Sequence, residues 1–131
     1  MQAVEIRADS VADPSRFGSP TSLGVVFGDL IFVSGMMPWD KDRNLVAPGD
    51  VEGQTRQALS NMAAVLEAEG ATLRNVLKIT FYLSDIRDKS KIWQVRKELF
   101  GDHRPASTLV EVSGLVDERA LLEVDAIAYK S

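Results

Sequence analysis

The sequence predicts a single α+β domain over residues 1–131, with one mixed β-sheet and two helices on one of its faces. Three observations lead there. Two short apolar runs meet at a Gly-Asp pair. Two later stretches carry apolar residues at helical spacing, and the segments around them alternate with period two. Read in order, the elements are a β-hairpin, a helix, a strand, a helix and two closing strands.

The hairpin is "LGVVFGDLIFVSG", residues 23 to 35. Gly28-Asp29 splits it, and glycine accepts the positive φ of a tight turn without steric cost. The next stretch, "MMPWDKDRNLVAPG", is rich in turn formers and charge and reads as a loop. Asp50 is placed to cap a first helix, whose apolar side is Ala58, Leu59, Met62, Val65 and Leu66. Gly70 stands where a helix-ending glycine is expected. In "NVLKITFYLSD", Leu77, Ile79, Phe81 and Leu83 point one way, with Val76, Lys78, Thr80 and Tyr82 opposite. A second helix is expected from about Lys89 to Phe100, with Ile92, Val95, Arg96 and Leu99 on one side and Gly101 ending it.

The closing strands are expected at Ser107 to Val112 and Leu121 to Tyr129. In the last one Leu122, Val124, Ala126 and Ala128 suit packing under helices. The alternate set is Leu121, Glu123, Asp125, Ile127 and Tyr129, which is half polar. With Lys78, Thr80 and Tyr82 it makes a sheet face too apolar for bare solvent and too polar for a core. Such a face belongs in a subunit interface and predicts a homo-oligomer.

Composition narrows the function classes. The net charge is −4, and the basic residues are scattered, which is not the footprint of a nucleic-acid binder. Cysteine is absent and there is one histidine, so disulfides, thiolate catalysis and a zinc-type metal site are not expected. No apolar run reaches the length of a membrane span, and the first residues do not read as a signal peptide, so a cytoplasmic protein is expected.

Four stretches together resemble one family. "FGDLIFVSGMMP" looks like its strand–Ser–Gly–turn segment, and "QTRQALSNMAAVLEAEGATLRNVLKITFYLSD" is similar to its helix, glycine link and strand. "RPASTLVEV" and "LLEVDAIAY" match its closing strands. The family is RidA/YjgF, the reactive intermediate deaminases, also known as endoribonuclease L-PSP. The resemblance covers roughly residues 18 to 130. It implies a chorismate-mutase-like fold, a homotrimer with clefts between subunits, and cofactor-free hydrolysis of enamines and imines to a carbonyl compound and ammonia.

The resemblance also assigns roles. Glu123 takes the place of the glutamate that orients the attacking water. Ser34 and Gly35 fall on a Ser–Gly pair beside the ligand; read from the residues alone, they are a strand end with a turn glycine. Where the family has an arginine that clamps the substrate carboxylate, this chain has Ser107, followed by Thr108, and Thr21 stands where relatives carry a tyrosine. A hydroxyl does not replace a bidentate, permanently charged guanidinium. An atypical substrate or a non-catalytic binding trimer is therefore expected. Ser107 is expected to point into the cleft. Arg104 and His103 read as surface loop residues, and Trp39 either walls the cleft mouth or packs over a strand end. The acidic charge and lack of a histidine pair argue against RNA cleavage.

Overall fold

The computed structural model describes all residues, 1–131. In chain order it contains β1 (Val4–Glu5), β2 (Gly24–Phe27), β3 (Leu30–Met36), α1 (Val51–Glu67), β4 (Val76–Leu83), α2 (Lys89–Phe100), β5 (Ala106–Glu111) and β6 (Leu122–Tyr129). All six strands form one sheet in the order β1-β2-β3-β6-β4-β5. Every pairing is antiparallel except β4 with β5, which α2 connects as a crossover. The mixed sheet with two helices is the fold class read from the sequence. Among the strands, only β1, a two-residue edge strand, is an addition.

Local chemistry explains the elements. β2 and β3 are joined by Gly28-Asp29 alone, and Gly28 has φ 63°, a left-handed conformation that favours glycine. The Asp50 carboxylate caps α1 by accepting from Gly53 N at 3.2 Å. Past the helix, Gly70 at φ 73° reverses the chain, and Ala71 N returns to Leu66 O. The predicted stripe Ala58, Leu59, Met62, Val65 and Leu66 is fully buried. It packs on Ile31, Val33, Val124 and Ala128 of the sheet, all within one apolar core. Each large side chain there contributes about 1.5–3 kcal/mol by leaving water.

Two expectations are corrected. In β4, Val76 is buried and Leu77 is exposed, the reverse of the reading from alternation. The pairing with β6 shifts register between Val76 and Lys78, so the period-two rule restarts there. In α2, Leu99 is exposed and Phe100 is buried beside Ile92 and Val95. The buried stripe follows the row 92, 96, 100. Arg96 fits within it because its guanidinium lies over the rings of Phe81 and Phe100, 4.8 and 5.8 Å from their centroids.

Both helices cover the same face. The other is open and divided in character. Phe27, Leu30, Phe32 and Tyr129 are exposed large apolar groups on the β2-β3-β6 side. Toward β4, Tyr82 donates to Asp125 at 2.9 Å and Lys78 donates to Thr108 at 2.7 Å. No helix is long and apolar enough to cross a membrane.

Candidate functional site

The site forms where β3 ends against β6. Their register shifts between Val33 and Met36, which displaces Ser34 and Gly35 from regular pairing. Glu123 of β6 then lies over Gly35. A β-carbon added at Gly35 would stand 2.8 Å from Glu123 Cδ and 2.9 and 3.1 Å from its carboxylate oxygens. Glycine is required here for space, not for φ.

Beside this pair is a cavity of about 210 Å³. Thr21, Ser34, Gly35 and Glu123 all line it. Four of the six residues proposed from the sequence therefore converge, although residues 21 and 123 are far apart in the chain. At roughly 30 Å³ per water the space equals about seven waters. That is room for a molecule of amino-acid size.

Glu123 is half-buried, and burial pushes its carboxyl above the ordinary glutamate range, with the Asp125 charge adding to the effect. Both causes disfavour a second negative charge on this stretch of β6. A carboxyl so raised exchanges protons nearer to neutral pH than a solvated one. Cross-strand to it, Tyr82 donates to Asp125, and its phenol is raised by that bond and by burial.

The hydroxyls are less free than the sequence suggests. Ser34 Oγ donates to Ser22 O at 2.7 Å, so toward a ligand it presents lone pairs. Thr21 Oγ1 and Ser19 Oγ are 2.9 Å apart and share one hydrogen bond. Thr21 is thus the better donor candidate of the two.

Trp39 lines the cavity and is held on all sides. Its Nε1 donates to Asp117 at 2.9 Å, while Asn61 and Gln57 donate to its carbonyl at 2.9 and 3.2 Å. The Arg119 guanidinium, helped by Trp39, holds the Asp117 carboxyl down at about 2. Asn61, buried on α1, also donates to Met37 O at 3.0 Å and so ties the helix to the strand end. Sequence reading assigned no role to Asn61 or Arg43, which also line this cavity. The signal that was available is an arginine inside the loop "WDKDRN" next to Trp39.

Ser107 lies elsewhere. Parallel pairing sets it in register with Ile79, which is fully buried on the helix face, whereas Glu123 pairs with Tyr82 on the open face. Within one chain the two residues are on opposite sides of the sheet. Ser107 therefore does not line the Glu123 cavity of its own chain, whereas the resemblance places it in a cleft between subunits. Its hydroxyl accepts from Arg96 Nη1 at 2.8 Å. Thr108, one residue on, faces the open side and accepts from Lys78. His103 stacks near Phe100, and its Nε2–H donates to Val76 O at 2.8 Å, because a carbonyl only accepts. It closes the start of β4. Arg104 is exposed beside it.

The fold and cavity define a small α+β protein with one acidic side chain sunk at a strand end. Residues 16–130 match the family model of endoribonuclease L-PSP, and the chain belongs to that family, RidA/YjgF. A RutC family protein of Pyrococcus horikoshii is 42% identical over 111 residues, covering 85% of this chain and 87% of that one. A Thermotoga maritima crystal structure superposes with TM-score 0.90 at 34% identity, over 100% and 99% of the two chains. Escherichia coli TdcF, crystallised with bound serine, gives TM-score 0.88 at 29% identity, over 98% and 99%.

Proposed function

We propose that this chain is a cofactor-independent hydrolase of small reactive enamines or imines, yielding a carbonyl compound and ammonia. One observation carries the reading. A single carboxyl, Glu123, is half-buried against Gly35 in an amino-acid-sized cavity, with its proton affinity raised by burial. The serine bound by TdcF supports a ligand of that size.

An imine carbon is already electrophilic, so the protein has only to place a water and move protons. Glu123 accepts a proton as the water oxygen bonds to the carbon, giving a carbinolamine. The imine nitrogen enters protonated, so the proton held by Glu123 next moves to it, the C–N bond breaks with release of ammonia, and Glu123 takes the hydroxyl proton as the C=O bond forms. Thr21 and Ser34 orient the substrate. Because position 107 is serine, the substrate is held differently from those of relatives with an arginine there. Ser107 and Thr108 enter this reading from a neighbouring subunit. The exposed apolar side of the open face supports a homotrimer with clefts between chains. Light scattering at three times 14.4 kDa tests that assembly.

Ammonia release from imines generated in situ tests the reaction. Activity in the wild type, lost in Glu123→Gln, is the expected result, and equal rates in both would refute the mechanism. A second reading, a non-catalytic ligand-binding trimer, is favoured by the engagement of Ser107 with Arg96 in place of a clamping arginine. Ligand binding with no turnover of any imine would select it.

A further inference from the structure

The proposed reaction leaves one role unfilled. A small acidic substrate needs a fixed positive charge, and position 107 does not carry one. Arg7, Arg16, Arg56, Arg74, Arg87 and Arg119 each stand in ion pairs with carboxylates. Arg43, Arg96 and Arg104 do not. Arg96 is spent on Ser107 and two aromatic rings, and with Arg104 and His103 it lines a separate groove. Only Arg43 shares the Glu123 cavity.

Arg43 is held in a way that its own stability does not explain. Its φ is 61°, a left-handed conformation uncommon outside glycine and asparagine. The Asp40 carboxylate enforces it by accepting from Asp42 N and Asn44 N, each at 2.9 Å. The turn folds the side chain back until its guanidinium carbon lies 4.7 Å from the Trp39 ring centroid and 4.5 Å from that of Phe17. Trp39 is itself pinned by Asp117, Asn61 and Gln57. Buried in this stack, Arg43 Nε has no hydrogen-bond partner. Both acids of the loop are committed elsewhere, Asp40 to its own turn and Asp42 to Arg16. A buried, unpaired guanidinium N–H is costly, and this one belongs to a side chain preorganised against a cavity.

We propose that Arg43 is the anion anchor of the Glu123 cavity, and that the ligand it holds is a small 2-imino or 2-oxo acid bound through its carboxylate. The inference rests on the cavity being the ligand site of the proposed hydrolase. Arg43 and Glu123 both line this cavity, and the ion pairs of the chain do not join them. One end of the ligand meets the fork, and the carbon two bonds from its carboxylate oxygens is left for Glu123 and its water. The charge that relatives supply at position 107 comes here from the β3–α1 loop.

Pyruvate and its neutral amide, pyruvamide, are the probes. Pyruvate is expected to bind, to shift the Arg43 Nε–H and Trp39 Nε1–H resonances of the unmutated protein, and to bind at least tenfold tighter than pyruvamide. Arg43→Gln is expected to weaken pyruvate about tenfold to a hundredfold and leave pyruvamide unchanged. Arg43→Lys, with charge but no fork, should fall between. Equal pyruvate affinity in wild type and Arg43→Gln overturns the proposal. So does a titration that shifts Arg96 or Arg104 instead, or a wild type that binds pyruvate no better than pyruvamide. Glu123→Gln separates the two readings. If it binds pyruvate through Arg43 while no imine is hydrolysed by the wild type, the anchor stands and the reaction falls. If imines are hydrolysed and Arg43→Gln leaves KM unchanged, the reaction stands and the anchor falls.

Discussion

Two regions of this molecule collect reactive-looking side chains, and they are built on different terms. Around β5 and α2, His103, Arg96 and Ser107 stand close together, yet each already has a partner within its own chain. His103 bonds a strand carbonyl, and Arg96 covers Phe81 and bonds Ser107. Around the end of β3, Glu123 and Arg43 are left with proton affinity or hydrogen-bonding capacity that nothing in the chain satisfies. The groups that surround them, Trp39, Asn61 and Asp117, are the satisfied ones. A reactive residue type is a poor guide to a site. Unmet polar capacity inside a rigid, fully bonded shell is a better one.

The sharpest way to break this contrast is to remove the acid. Glu123→Gln is expected to lower imine hydrolysis by about 10²–10⁴-fold, the usual worth of a positioned acid–base group. His103→Gln, in the other region, is expected to leave the rate within about twofold, a small change for a residue outside the chemistry. Stopped ammonia-release assays on both proteins check the pair.

Gly35→Ala comes next. A methyl at 2.8 Å from Glu123 Cδ must push the carboxyl aside. The rate is expected to fall at least about tenfold, as small misplacements cost in catalysis, while circular dichroism stays that of the wild type. Retained activity would show that the carboxyl position is not needed.

Asn61→Ala tests the shell. It strands the Met37 carbonyl, leaves Gln57 as the one side-chain donor to the Trp39 carbonyl, and is expected to cost about 1–3 kcal/mol. Urea unfolding measures this, and a loss below about 0.5 kcal/mol, within the range of ordinary surface changes, would count against the shell.

The smallest effect expected is a pH dependence. Glu123 has a folded-state pKa raised above its unfolded value of 4.5. Its contribution to stability is therefore fully present below that value and lost as pH rises through the folded one. At pH 7 the charged form costs stability that Glu123→Gln recovers. The gain is small for a half-exposed group, and urea unfolding of the two proteins at pH 7 and at pH 4 measures it. The difference should vanish near pH 4. A Gln variant less stable at pH 7 would reverse the sign and refute the burial argument.

Much of the frame was legible because short-range rules decided it. Gly28-Asp29 wrote the hairpin, Asp50 and Gly70 bounded α1, and alternation sorted β6 with Glu123 on the open face. The failures share a cause. The Val76–Leu77 reversal comes from a register shift set by β6, whose partner residues Ile127 and Ala128 are far along the chain and which no local period encodes. Arg43 was read as loop charge, because its burial depends on Phe17 and Trp39 meeting only after folding.

The contact between Gly35 and Glu123 has a further consequence, for the order in which this chain can change. Any side chain at position 35 meets the carboxylate, so no replacement there is neutral while the acid remains. Once a shorter side chain replaces Glu123, the barrier disappears and position 35 is free to drift. Substitutions at the two sites are therefore strongly non-additive. The route out of catalysis runs easily through position 123, and the return is closed as soon as a methyl fills the space that the carboxylate occupied.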